Sequence, residues 1–213
     1  MNLRNVLIFG DSYSTFEGYV PEGFAVYYSK TKSGETDVRA VEDTWWYSLL
    51  KETDSRLIQN NSWSGSTICN TGYNGDCSTT SSFICRLNKL IESGFFEENQ
   101  IDTVFVFGGT NDNWANSPIG ELKYSDWDSS ELFSALPAFC YFFNRLKETL
   151  KNAEIVCIVN TELKPEIAEG LKTASAHYGI KAVALDNIDK LGGHPSVKGM
   201  KEIKDQVLTA LDF

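Results

Sequence analysis

The chain has no apolar run that approaches the roughly 20 consecutive residues required by a membrane-spanning helix. It is also poor in positive charge, with 19 Lys and Arg against 29 Asp and Glu and a formal net charge of −10. A surface with this much negative charge repels phosphate backbones and anionic lipid headgroups. We therefore expect neither nucleic acid nor a membrane as a partner. The apolar run at residues 6–9 is too short for a signal-peptide core. We therefore expect a cytoplasmic protein, although a chain that had lost its leader would look the same.

Several chemical motifs are missing as well. The five cysteines are odd in number and lack C-x-x-C spacing, which argues against a zinc site, although Cys69 and Cys77 share a polar segment and could pair under oxidation. There is no G-x-S-x-G sequence, the nucleophile elbow of α/β-hydrolases, and no Gly-rich phosphate-binding motif. We therefore expect no metal and no cofactor.

Short apolar segments alternate with amphipathic segments along the whole sequence. Strands are predicted at residues 4–9, 56–60, 102–107, 154–159 and 181–185, and helical stripes at residues 45–50, 83–91, 132–150, 167–174 and 197–211. This alternation indicates βαβ crossovers, hence an α/β fold with a five-stranded parallel sheet and helices on both faces. With no linker or internal repeat in 213 residues, we expect one domain over residues 1–213.

A serine comes directly after the first predicted strand. Ligands of open α/β sheets bind at the carboxyl ends of the strands, so Ser12 is either a turn residue or a nucleophile. Gly65, Asn111 and His194 each follow a later strand, and the polarity of a parallel sheet brings them to the same edge. The other histidine, His177, ends a helix before the last strand and belongs at the opposite edge.

These residue types suit nucleophilic catalysis. A serine hydroxyl needs a neighbouring base, and His194 is the one imidazole expected at this edge. The backbone N–H groups of Ser12 and Gly65 and the side-chain amide of Asn111 are candidate donors to an oxyanion. A Gly-Asp-Ser sequence alone is a weak signal because Asp and Ser are common in turns. Four such residues in order, each at a strand end, are a stronger one.

Two connections are unusually long, at residues 13–42 and 61–81. Loops of this length are uncommon and usually functional, and both follow strands that end at the edge of Ser12. Their aromatic and amide residues favour walls of a substrate site over plain surface loops. Trp63, Trp114 and Tyr13 are the candidate substrate contacts, although each could equally be a packing residue.

Four sequence blocks resemble the SGNH branch of the GDSL esterase/lipase superfamily. They are Gly10-Asp11-Ser12, Asn61-Ser62-Trp63-Ser64-Gly65, Gly109-Thr110-Asn111-Asp112, and His194-Pro195 followed by Gly199. The resemblance spans nearly the whole chain and implies a flavodoxin-like three-layer sandwich that hydrolyses an acyl ester. It also implies Ser12 as nucleophile, His194 as base, and Ser12, Gly65 and Asn111 as the oxyanion hole.

One block departs from the family pattern, which places an aspartate three residues before the histidine. Leu191 stands at that position, and the nearest carboxylate is Asp189. If Gly192 and Gly193 loop out, Asp189 can still reach the imidazole as the third catalytic residue, which is our expectation. The alternative is a dyad in which a backbone carbonyl orients His194.

The sequence thus predicts a serine hydrolase of carboxylic esters. The polar and aromatic loops favour short acyl groups, such as acetyl, on a carbohydrate or similar small substrate. The alternatives are a lipase or thioesterase that acts on longer acyl chains, and a non-catalytic relative that binds a glycan or another small ligand. The oligomeric state has no signature in the sequence.

Overall fold

The computed structural model describes residues 3–32 and 34–213. Within those residues the strands are β1 (Asn5–Gly10), β2 (Arg56–Ser62), β3 (Thr71–Gly72), β4 (Gly75–Asp76), β5 (Thr103–Phe107), β6 (Glu154–Val159), β7 (Lys181–Ala184), β8 (Lys190–Leu191) and β9 (His194–Pro195). The helices are α1 (Trp45–Glu52), α2 (Phe83–Glu92), α3 (Phe95–Glu98), α4 (Thr110–Trp114), α5 (Ala135–Thr149), α6 (Pro165–His177) and α7 (Val197–Ala210).

The five longer strands form one parallel sheet in the order β2-β1-β5-β6-β7. Counted among sheet strands alone, this is the 2-1-3-4-5 order of the flavodoxin-like doubly wound fold. Two short antiparallel hairpins, β3-β4 and β8-β9, stand outside the sheet. The predicted fold class, a three-layer α/β sandwich with a five-stranded parallel sheet, is confirmed.

Alternate residues of each central strand pack into opposite layers. Phe9 and Val106 lie in the cluster that contains the apolar faces of α2, α5 and α6. Ile8 and Phe105 lie in the cluster that contains α1, α7 and part of the loop after β1. Because side chains of a strand alternate between its two faces, continuous apolar runs in the sequence mark strands that are covered on both sides.

The predicted elements are largely confirmed, with two informative differences. β2 extends two residues beyond the predicted end, through the buried polar residues Asn61 and Ser62. The stripe predicted over residues 132–150 is divided into a 3₁₀ turn at Glu131–Phe133 and helix α5. Pro137 lies in the first turn of α5, where a missing N–H costs no intrahelical hydrogen bond.

All five cysteines are buried free thiols, so the pairing of Cys69 with Cys77 that the sequence left open is not found. In residues 3–32 and 34–213, no helix has both the length and the apolar character needed to cross a membrane.

Candidate active site

The first element of the site is the turn that follows β1. Ser12 opens a 3₁₀ turn over Ser12–Ser14, and Asp11 caps it, with its Oδ1 accepting the Tyr13 N–H at 3.0 Å. A Cβ at Gly10 would lie 2.6 Å from the Cβ of Ser14. The close approach of this turn to its strand therefore requires glycine at position 10.

The structure brings His194 to this turn from the far end of the chain. Its Nε2 lies 3.0 Å from the Ser12 hydroxyl oxygen, and Ser12 is only 3% exposed. Its Nδ1 lies 3.3 Å from the carbonyl oxygen of Gly192. A carbonyl can only accept, so Nδ1 carries the proton and Nε2 is free to accept the proton of Ser12.

The surroundings of His194 favour the neutral imidazole. Burial lowers the pKa of His194 to about 4, against the opposing effect of the Gly192 carbonyl, and the charge of Lys32 lowers it further. Removing the ring from water disfavours its charged form. At neutral pH the ring is therefore a proton acceptor, as a general base must be.

Asp189, expected to orient His194, does not contact the imidazole in the part of the chain that the structure describes. Its carboxylate accepts a hydrogen bond from the hydroxyl of Ser196, the N-cap of α7. The physical reason lies in Gly192 and Gly193, with φ values of 55° and 78°, which suit a two-residue hairpin turn and let Leu191 pair with His194. The glycines therefore close a tight hairpin instead of looping out. The structure has the alternative arrangement, in which a backbone carbonyl, that of Gly192, contacts Nδ1 of His194.

The candidate oxyanion donors lie on the neighbouring strand ends. The Asn111 amide donates one hydrogen bond to the Ser66 carbonyl at 3.0 Å, which joins the first turn of α4 to the loop of Gly65. The second N–H of that amide remains for a ligand. Among the described residues, the backbone N–H groups of Ser12 and Gly65 donate to no protein acceptor. The three predicted donors are therefore available at one edge of the sheet.

Sequence reasoning missed Tyr73, which fixes the amide of Asn111. The Tyr73 hydroxyl donates to the Asn111 Oδ1 at 2.9 Å. The Ser66 carbonyl can only accept, so it faces the amide nitrogen, and the Tyr73 hydroxyl therefore meets the amide oxygen. Tyr73 comes from the β3-β4 hairpin, an element too short for a periodic signal in the sequence.

Sequence reasoning also missed Arg86, which is 1% exposed on the buried face of α2. Its guanidinium donates to the carbonyl of Gly10 at 3.2 Å, the hydroxyl of Ser66 at 3.1 Å and the side chain of Asn61 at 2.8 Å. It thereby ties together the ends of β1 and β2 and the Gly65 loop. A lone charge within an apolar helical stripe was the available signal, because such a charge requires buried partners.

Asp11 and Asp112 bind backbone amides, as their flanking positions predict. The two carboxylate oxygens of Asp112 accept from the N–H groups of Ile68 and Cys69 at 2.9 and 3.1 Å. Burial raises the pKa of Asp11 to about 7, although its bond from the Tyr13 N–H lowers it. Both residues therefore hold the loops around the site through bonds to backbone N–H groups.

The three predicted substrate contacts differ in position. Tyr13 is fully buried, so the prediction that it contacts substrate is corrected: its ring packs between Phe107 and Trp114. Trp114 is 38% exposed and lies edge-on to His194 at 5.8 Å. Trp63 is half-buried and packs on Phe24, with ring centroids 4.5 Å apart.

A cavity of about 280 Å³ adjoins the donor side of the site. Trp63, Gly65 and Tyr73 line it, together with the β3-β4 hairpin. In the described part of the chain, no group of three or more His, Cys, Asp or Glu side chains is arranged to hold a metal ion.

His177 lies away from this edge, as the order of elements predicts. It is the last residue of α6, and its ring stacks on Tyr124 with centroids 3.8 Å apart.

The chain is similar to one known protein family and to several solved structures. The profile of the family described as GDSL-like lipase/acylhydrolase matches residues 4–211. A crystal structure assigned to the GDSL-like lipases, from Bacteroides ovatus, is 42% identical with a TM-score of 0.92 over 100% of this chain and 99% of its own. A second such structure, from Bacteroides uniformis, is 43% identical with a TM-score of 0.91 over 98% and 95% of the two chains.

A more distant structure shares the fold alone. It is an acetyl xylan esterase from the rumen bacterium Butyrivibrio proteoclasticus, 16% identical, with a TM-score of 0.62 over 98% of this chain and 63% of its own. No significant match was found among curated proteins.

Proposed function

Because the chain belongs to the GDSL-like lipase/acylhydrolase family, we propose that it hydrolyses carboxylic esters with Ser12 as nucleophile and His194 as general base. The observation that carries the proposal is the 3.0 Å contact between the Ser12 hydroxyl oxygen and His194 Nε2. A nucleophile within hydrogen-bond reach of a base that a third group orients is the signature of this chemistry. Here the carbonyl of Gly192 accepts from Nδ1 and so fixes the tautomer in which Nε2 is the proton acceptor.

The reaction then proceeds in two transfers. As the Ser12 oxygen attacks the ester carbonyl carbon, its proton passes to His194 Nε2, and the carbonyl oxygen becomes an oxyanion. The N–H groups of Ser12, Gly65 and Asn111 stabilise that charge. The C–O bond to the alcohol breaks as His194 protonates the leaving oxygen, which leaves an acyl group on Ser12. Water, deprotonated by His194, attacks the acyl-enzyme and releases the acid, and Ser12 recovers its proton.

We propose short acyl groups on a carbohydrate as the substrate class. The exposed indole of Trp114 beside His194 suits stacking on the face of a sugar that carries the leaving oxygen. The cavity of about 280 Å³ beside Gly65 is small and is lined by Asn74, Asp76 and Ser81, which suits a short acyl group better than a long chain. The likeness to an acetyl xylan esterase, at the level of the fold, agrees with this choice.

Three measurements test the proposal. A fluorophosphonate probe should label the wild-type protein and fail to label Ser12→Ala, because only an activated hydroxyl reacts. A series of nitrophenyl esters should show the highest kcat/KM for acetate and falling values beyond butyrate, and acetylated sugars should release acetate. An absence of labelling would contradict the hydrolase, and rates that rise with acyl length would replace the short-acyl substrate with a lipase or thioesterase substrate.

A further inference from the structure

The imidazole of His194 lies flat against another ring. Tyr27, in the long loop after β1, stacks on it with ring centroids 3.5 Å apart and planes only 7° from parallel. Tyr13, Trp114 and Tyr28 surround the same ring at larger distances and tilted angles. Of these four aromatic contacts, only the one with Tyr27 fixes the plane of the imidazole.

The Tyr27 ring also contacts the side chain of Lys32. The ammonium of Lys32 lies 3.2 Å from the centroid of the Tyr27 ring. Two groups this close to one centroid would overlap on one face, so Lys32 and His194 lie on opposite faces of Tyr27. An ammonium over an aromatic face is attracted by the negative π-surface. The order of the stack is therefore Lys32, Tyr27, His194.

The backbone around Tyr27 is also anchored to both halves of the site. Its N–H donates to the Thr15 hydroxyl at 2.8 Å, close to the turn of Ser12. The hydroxyl of the next residue, Tyr28, donates to the carbonyl of Pro195 at 3.0 Å, next to His194. Tyr27 thus has a fixed position relative to both the nucleophile and the base.

The hydrogen bond to Nδ1 is, by contrast, a weak constraint. The carbonyl of Gly192 is neutral and lies 3.3 Å away, beyond the usual distance for an N–H···O bond. A carboxylate at this position would form a shorter and stronger bond. Some other contact must therefore keep Nε2 directed at Ser12.

We propose that Tyr27 is the positioning residue for His194 and, with Lys32 behind it, replaces the carboxylate that orients the base in a triad. The inference depends on the proposed hydrolase function. The ring of Tyr27 carries the effect, because its hydroxyl is buried without a hydrogen-bond partner in the part of the chain that the structure describes.

The charged and titratable groups that face His194 set its pKa, which is one of the quantities that test the proposal. Burial is the largest influence on its pKa, Lys32 and Lys190 lower it, and Glu35 raises it. Tyr13, Tyr27 and Tyr28 face the ring as well, and burial raises the pKa of each phenol, so all three are neutral at working pH. Loss of the Tyr27 ring exposes the imidazole and should raise the pKa of His194.

The test compares Tyr27→Leu with Tyr27→Phe. Tyr27→Leu should lower kcat on nitrophenyl acetate by about tenfold or more with little change in KM, since a misaligned base loses much of its contribution. Tyr27→Phe should restore most of that turnover. The matched control is Tyr19→Leu, because Tyr19 is an aromatic residue of the same loop that packs at a tilt against Trp46, and its loss should leave kcat unchanged. Thermal unfolding of each variant shows whether it is folded.

Proton NMR gives a second readout that needs no substrate. Tyr27→Leu should move the titration midpoint of His194 to higher pH. Unchanged kcat and an unchanged His194 midpoint in Tyr27→Leu would overturn the proposal, as would an equal loss of turnover in Tyr27→Phe. Failure of the hydrolase itself would differ, because wild-type protein would then show neither turnover nor fluorophosphonate labelling.

Discussion

The hydroxyl of Tyr13 donates a 2.6 Å hydrogen bond to the carbonyl oxygen of Gly193, a residue 180 positions later in the chain. Tyr13 follows the proposed nucleophile directly, and Gly193 directly precedes the proposed base. This single bond therefore links the turn that carries Ser12 to the hairpin that carries His194.

Loss of this bond should loosen the Ser12–His194 contact. We expect Tyr13→Phe to lower kcat about threefold to tenfold and to destabilise the fold by about 1 kcal/mol, the usual net value of one hydrogen bond. Steady-state kinetics and urea unfolding measure the two effects. A variant with full turnover would mean that the hairpin keeps its position without the bond.

The pH dependence of kcat/KM should reflect the low pKa of His194. Burial lowers this pKa from 6.5 to about 4, and the base acts only when neutral. Activity should therefore persist as the pH falls below 6.5 and decline only as it passes through about 4. The measurement is a profile of kcat/KM on nitrophenyl acetate between pH 3 and 8, and the decline near pH 4 is its acidic limb. Assays at pH 7 before and after each exposure detect irreversible unfolding.

Two charge variants should move that limb in opposite directions. Lys32 lowers the pKa of His194 and Glu35 raises it, so Lys32→Met should shift the limb to higher pH and Glu35→Gln to lower pH. The same pH series on both variants checks the signs. Shifts in the same direction, or none, would show that these charges are screened from the imidazole.

Arg86 should be important for stability. In Arg86→Met, the buried side-chain oxygen of Asn61 loses its donor, while the Gly10 carbonyl keeps its bond from the Trp63 N–H, so we expect a loss of about 1–3 kcal/mol. The comparison is Arg56→Met, an exposed arginine at the start of β2, which should change stability by less than about 0.5 kcal/mol. Denaturant unfolding measures both, and equal small effects would contradict the role of Arg86.

Asp189→Ala should affect stability more than catalysis. Its carboxylate binds the N-cap residue of α7, so we expect a loss of about 1 kcal/mol in unfolding free energy with kcat changed less than threefold. Ser196→Ala removes the same contact and also the N-cap bond from the Gly199 N–H, so it should destabilise the fold further while leaving kcat equally little changed. A tenfold fall in kcat confined to Asp189→Ala would restore the triad.

The parallel sheet could be predicted from the sequence because each central strand is a buried apolar run next to turn residues. The polarity of parallel strands predicted that Ser12 and His194 lie at the same edge of the sheet, and the structure adds the hairpin that brings them into contact. Gly192 could not be found as the partner of His194, because a backbone carbonyl has no residue type to recognise. Tyr27 and Tyr73 depend on the paths of irregular loops, which neither periodicity nor spacing predicts.

Ser12 and His194 are 182 positions apart in the sequence, so a refolding chain brings the two together only when the β8-β9 hairpin has packed beside the turn after β1. Until then the serine has no proton acceptor within reach. Any cleavage of small esters by a refolding sample would accordingly report on molecules that have completed their tertiary structure. The rate at which ester turnover appears would therefore measure the rate of the final stage of folding.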